Sequence, residues 1–204
     1  MKRLSIALSV LIISALPSFA GNTLRQFASW VASSFVSFDY SFATKDKVPL
    51  SGSGRAEVQG DSFRLVTEGL EICCDAVSRW SADKASKELV IENVFGDKDY
   101  AGNPALLVSS LEEAFEMVSQ GQSKFRGKVC HVEVLSPKEK SGIARVKAFF
   151  DAKGNLLGAE VTADEGTVTE IVISSLVFRP VKASGYFMFD TSLIDQSWVV
   201  TDLR

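Results

Sequence analysis

A chain of 204 residues with a formal net charge of −3 is long enough to bury a sizeable core in one domain, and it carries no basic cluster of the kind that binds nucleic acid. Its single histidine leaves little room for a serine or cysteine triad, which needs an imidazole as base. With 46% hydrophobic residues, and 14 phenylalanines against 3 tyrosines and 3 tryptophans, either the core is large or part of the apolar surface serves a ligand.

The opening MKRLSIALSVLIISALPSFA sets Lys2 and Arg3 before an apolar run from Leu4 to Leu16 and exits through Pro17 and Ser18-Phe19-Ala20. That order is a secretory signal peptide, residues 1–20, cut after Ala20. Gly21 follows with no cysteine beside it to take a lipid, and no later run reaches the roughly 18 apolar residues of a membrane-spanning helix. The expected product is a soluble periplasmic protein, residues 21–204, with no transmembrane or lipid anchor.

Residues 22–34 place Leu24, Phe27, Ala28 and Val31 at helical spacing, with Arg25, Gln26 and Ser29 opposite. The stretch FVSFDYSFA then alternates strictly, turning Val36, Phe38, Tyr40 and Phe42 to one face of a strand. GRAEVQGDSFRLVTEGLEICCD reads as hairpin strands broken at Gly60-Asp61 and Gly69, and KELVIENV adds another, giving an antiparallel meander. GNPALLVSSLEEAFEMVSQG interrupts it as a helix capped by Asn103, with Pro104 in its first turn. One stripe of that helix holds Leu107, Leu111, Ala114, Phe115 and Val118. Strands resume in GKVCHVEVLSP, in GIARVKAFFDAKGNLLGAEVTAD with its turn at residues 151–155, in TVTEIVISSLVF and in the tail GYFMFDTSLIDQSWVVTDLR. The expected fold is mainly β with α, a single curved antiparallel sheet with two helical segments over one face.

Chemistry is sparse. His131 shares its strand face with Val129 and Glu133, read as the outer side, and offers no triad. Glu112-Glu113 reads as a solvated helix face and Asp97-Lys98-Asp99 as a solvated loop. Cys73, Cys74, Cys130 and His131 could supply four zinc ligands, but adjacent strand residues point to opposite faces, so neither pair converges on one ion. By the same alternation, Cys74 lies with Leu70 and Ile72, and Cys130 with Val132 and Val134. If a disulfide forms, Cys74–Cys130 is therefore the pair, leaving Cys73 odd; the alternative is buried free thiols. No catalytic residue, metal site or cofactor is expected.

The order and spacing of these elements resemble the LolA-type outer-membrane lipoprotein carriers over nearly all of residues 21–204. The likeness runs through the N-terminal helix, SFDYSF, GSGRAEVQGDSFRL, CCDAVSRWSADK, NPALLV, FFDAKGNLLGAEV and the closing YFMFDTSLIDQSWVVTDLR with its Phe-x-Phe. It implies a half-open, incomplete β-barrel under a helical lid. Where the family often carries Arg-Pro, the arginine latching the lid, this chain reads Gln59-Gly60. Each methylene of an acyl chain exposed to water costs about 0.8 kcal/mol, and a dry cavity removes that surface. The resemblance makes Phe38, Tyr40, Phe42, Phe63, Leu65, Ile72, Leu89 and Ile91, under Leu107, Leu111 and Phe115, the lining of that cavity. Without it, these residues read as packing on one another. The implied function is a monomeric periplasmic carrier that takes acylated lipoproteins from an inner-membrane ABC-type release complex to an outer-membrane acceptor. The alternatives are an envelope sensor of lipid or peptide on the same half-barrel, and a structural domain with a closed core.

Overall fold

The computed structural model describes residues 23–46, 49–94, 104–183 and 185–204. The expected leader, residues 1–20, the expected solvated loop at residues 97–99 and the expected cap Asn103 lie outside them. Helix α1 (Thr23–Ala32) leads into β1 (Phe35–Lys45), β2 (Ser51–Gln59), β3 (Ser62–Thr67), β4 (Leu70–Cys74), β5 (Ser78–Asp83) and β6 (Glu88–Asn93). Helix α2 (Pro104–Ala114) follows, then β7 (Phe115–Phe125), β8 (Lys128–Pro137), β9 (Ile143–Phe150), β10 (Leu156–Ala163), β11 (Val168–Arg179), a 3-10 turn at Thr191–Leu193 and β12 (Val199–Asp202).

The twelve strands of the described residues join one sheet in the order β12-β6-β5-β4-β3-β2-β1-β11-β10-β9-β8-β7. Two antiparallel meanders, β1–β6 and β7–β11, meet along the β1–β11 seam, where Lys45 faces Val168 and Phe42 faces Ile171. The curved half-barrel expected from the sequence is not what forms: the sheet is open and uncurled. Closure needs the two outermost strands to approach one another. Here β7 ends the sheet on one side, and on the other β12 adds in parallel to β6, Val200 opposite Leu89, widening the sheet instead of turning it back.

Alternation along the strands separates two faces. The ladder Phe42, Ile171, Ala159, Ala148 and Glu133 runs across β1, β11, β10, β9 and β8 on the face that the helices cover. The main apolar cluster lies there, between that face and α1 and α2. The opposite face is covered at one end by the tail. Phe35 sits 5.5 Å from Tyr186 and 6.2 Å from Phe187, and Phe189, Ile194 and Trp198 close over β5 and β6.

Helix α2 is shorter than its sequence stripe. It stops at Ala114, and Phe115 begins β7 opposite Pro137. Lys138 ends the helix by donating its backbone N–H to Ala114 O at 3.0 Å and its Nζ to Glu112 O at 2.9 Å. Strand pairing with β8 then supplies the backbone bonds that further helix would have made, and Val118, expected on the helical stripe, is exposed.

Candidate functional site

The candidate site is the interface between the sheet and its two helices. Helix α1 contributes Leu24, Phe27 and Val31, and α2 contributes Ala105, Leu107, Val108 and Leu111. Phe27, fully buried, stands edge-on to Phe150 at 5.8 Å and to Phe178 at 6.2 Å, geometries that align ring edges with ring faces. Outside the apolar contact, Arg25 of α1 pairs with Glu112 of α2 at 3.5 Å, both exposed, so screening leaves that pair little strength.

Seven of the eleven residues named from the sequence, Phe38, Tyr40, Phe63, Leu65, Leu107, Leu111 and Phe115, are buried in this cluster. Phe42 and Ile72 are half-buried at its margin. Leu89 and Ile91 lie elsewhere: they share the opposite face with Cys73, Trp80, Ala82 and Phe189. The reason is visible in β6, where Val90 falls on the Ile72 side through Ser81. A strand apolar on both faces gives alternation no way to choose between them. Burial raises the Tyr40 hydroxyl above its ordinary pKa.

Among the described residues, the buried polar side chains at the start of α1 are those of Thr23 and Glu133. Glu133 is 1% exposed; its Oε1 accepts the backbone N–H of Leu24 at 3.3 Å and lies 3.2 Å from His131 Nε2. Among the described residues, its Oε2 and the hydroxyl of Thr23 find no hydrogen-bond partner. The carboxylate thus sits against the first turn of α1, where the unsatisfied N–H groups and the helix dipole favour negative charge. The sequence placed His131 and Glu133 on the outer face; the register puts them on the helix-covered face, because His131 pairs with Phe150 and Glu133 with Ala148.

The cysteines are three buried free thiols. Cys74 and Cys130 cannot form the bond considered from sequence. They lie on β4 and β8, with six strands between, and on opposite faces, since Cys74 packs in the main cluster and Cys130 beside Phe125 and Phe149. That separation far exceeds the roughly 7 Å limit between the Cα atoms of a disulfide. Cys73 is on the face opposite Cys74, as alternation predicted. Its thiol donates to Glu71 Oε1 at 3.9 Å, and burial, then the Glu71 charge, push it up to about 12. Glu71 is itself held by Arg64 at 2.5 Å and Lys84 at 3.3 Å.

Gln59 has a task the sequence did not show. Its side chain donates to Lys182 O at 3.2 Å and accepts Lys182 N–H at 2.7 Å, fixing the start of the tail as an added strand would. Lys182 Nζ in turn stands 5.1 Å from the Phe35 ring centre and 5.2 Å from that of Tyr186.

Among the described residues no group of three or more His, Cys, Asp or Glu side chains could hold a metal ion, and no helix is long and apolar enough to cross a membrane. No known family model and no curated protein matches the chain. Solved structures do. The chain is weakly similar to a LolA superfamily protein from Nitrosomonas europaea, at 9% identity over 82% of this chain and 96% of that one, TM-score 0.45. It is also weakly similar to the MucA/MucB complex of Pseudomonas aeruginosa, at 13% identity over 82% of this chain and 60% of that one, TM-score 0.37. An uncharacterized conserved protein from Thermus thermophilus aligns over 87% of this chain and 98% of its own at TM-score 0.55 and 9% identity. That likeness establishes a shared fold.

Proposed function

We propose that the chain is a binding module of the bacterial envelope, exported by its leader, that senses a lipid or an extended apolar peptide taken up between the helices and the sheet. The observation that supports this reading is the way α1 and α2 are held. The open sheet is held together by its own strand-to-strand hydrogen bonds, whereas the helices, joined to each other by a weak exposed ion pair, rest on it through apolar side chains and tethers at Leu24 and Lys138. Lifting α2 about Lys138 opens apolar surface without breaking a ladder bond. Apolar contact is non-directional, so an acyl chain or apolar side chains can replace it. Ligand then shifts the population toward the lifted form in proportion to its preference for that form.

The lining on this reading is Phe38, Tyr40, Phe42, Phe63, Leu65 and Ile72 on the sheet, Leu107 and Leu111 on α2 above it, and Phe115 where α2 runs into β7. A carrier reading is finer: the same interface would take the acyl chains of lipoproteins from an inner-membrane ABC-type complex and pass them to an outer-membrane acceptor. The sequence likeness to the carrier family supports it.

The test uses Phe42 and Ile72, which are half-buried and tolerate a charge better than the centre of the cluster does. Delipidated protein is titrated with palmitate and with an extended apolar peptide. Saturable uptake of either, lost in Phe42→Asp and Ile72→Asp variants that melt like the parent, is the expected result. Absence of uptake with both probes sinks the reading in favour of a closed core. Mass spectrometry of what co-purifies from the periplasm separates sensor from carrier, since triacylated lipoproteins are the expected cargo of the carrier alone.

A further inference from the structure

The face of β7–β11 that the helices leave uncovered carries a second feature, independent of the interface above. The β7–β8 hairpin is long, and its tip lies back over this face. Its two-residue turn has φ +50° at Arg126 and +78° at Gly127, the arrangement in which both central residues are left-handed. Phe125, just before the turn, stacks on Phe149 of β9 with ring centres 4.4 Å apart and planes 16° apart. It also reaches β10: a Cβ at Gly158 would come within 2.7 Å of its Cζ, so a side chain there would push the tip away. The Arg126 guanidinium crosses to β11 and pairs with Glu170 at 2.7 Å.

Between tip and sheet lies a space of about 410 Å³, within the range of small-ligand sites. Its apolar wall is the Phe125–Phe149 stack with Val132 and Val134; its charged wall is Lys124, Arg126, Lys147, Glu160 and Glu170. Both carboxylates are already matched. Glu160 accepts from Lys147 at 3.1 Å and from Lys45 at 3.1 Å, and Glu170 is paired with Arg126 and, at 3.7 Å, with Lys45. Two anions against four cations, counting Lys45 and Lys124, leave positive charge in excess. Burial works against the Glu160 charge, yet Lys147 and Lys45 overcome it and hold the carboxyl below its usual pKa.

We propose that this space binds a small anionic amphiphile, a phosphate or carboxylate carried on an aromatic or other apolar body. The apolar body lies along the Phe125–Phe149 stack, and the anion exchanges one carboxylate of the lining for itself at Lys147 and Arg126, with Lys124 free to close on it. Planar guanidinium and flexible ammonium groups together suit oxyanions. An unusual backbone at Arg126 belongs to this arrangement, since a non-glycine residue at positive φ is strained and here it aims the guanidinium across the opening.

Phenyl phosphate, benzoate and inorganic phosphate, titrated at low salt into the whole chain without its leader, test this by calorimetry and by NMR of valine methyl and phenylalanine ring signals. The expected result is saturable binding of phenyl phosphate or benzoate, with shifts at Val132, Val134, Phe125 and Phe149. Inorganic phosphate should bind at least about tenfold more weakly, and Lys147→Gln and Arg126→Gly should each weaken the aromatic anion by about tenfold, the worth of one charge-assisted hydrogen bond. Arg126→Gly keeps the turn, because glycine accepts positive φ freely, and thermal melts confirm that both variants stay folded. The proposal is overturned by no saturable binding, by shifts confined to α1 and α2, by unchanged affinity in both variants, or by inorganic phosphate binding as tightly as phenyl phosphate.

Discussion

Two buried polar side chains show how much one residue can decide. Glu133 is committed to holding the start of α1: removing its carboxylate strands the Leu24 N–H in an apolar surround, and a stranded donor costs about 1–3 kcal/mol. Glu133→Ala should lose stability of that order in urea titration. An unchanged midpoint would mean that the N–H finds water instead. Cys73 sets a pH limit on the other face. Its folded pKa of about 12 lies above the 9.0 of an unburied thiol, so the folded state keeps its proton where the unfolded state gives it up. The stability tied to the neutral thiol is whole below pH 9 and drains away as pH rises toward about 12. Urea midpoints of the parent should therefore fall more steeply from pH 9 to pH 11 than those of Cys73→Ala; parallel curves would remove Cys73 from that account. At this scale the sequence was readable where alternation was clean, as at Cys73 and Cys74. It misled at His131 and Glu133, since a polar residue in a strand reads as outward until its register is known.

Helix α1 is the clearest case of an element whose sequence and packing agree. Leu24, Phe27 and Val31 fall on one stripe and all are buried, and Phe27 fills the angle between Phe150 and Phe178. Phe27→Ala removes a fully buried ring and leaves a void that three elements line, which places its cost at about 3–5 kcal/mol. Denaturant unfolding should show that loss, with α1 exchanging amide hydrogens first; a loss below about 1 kcal/mol would mean the helix is loosely seated. The α2–β7 junction is the contrasting case. Leu107, Leu111 and Phe115 keep helical spacing across the point where the helix stops, so periodicity carried the expected helix into β7. What ends it, the pair of bonds from Lys138, comes from a residue far along the chain, and no local window contains it. Tertiary pairing decides such boundaries.

For the whole molecule, the meanders were legible because each hairpin is local, marked by turn residues such as Gly60-Asp61 and by the period of two. Curvature was not. Whether a wide sheet closes, curls or stays open depends on what its outermost strands meet, and the decisive contact here is the parallel addition of β12 to β6, between segments far apart in sequence. The candidate interface was legible for the same reason as the hairpins and failed where β6 is apolar on both sides. The β1–β11 seam has a further implication, for the time course of folding. The first meander can assemble by neighbour-to-neighbour pairing, but Lys45 meets Val168 only after nearly the whole chain is available. Closing so long a loop is entropically dear and slow. A chain secreted amino end first would hold β1 with one unpaired, aromatic-flanked edge until β11 emerged, a ready template for pairing with another copy. Export speed and the crowding of nascent copies would then set the yield of native protein as strongly as the stability of the finished fold.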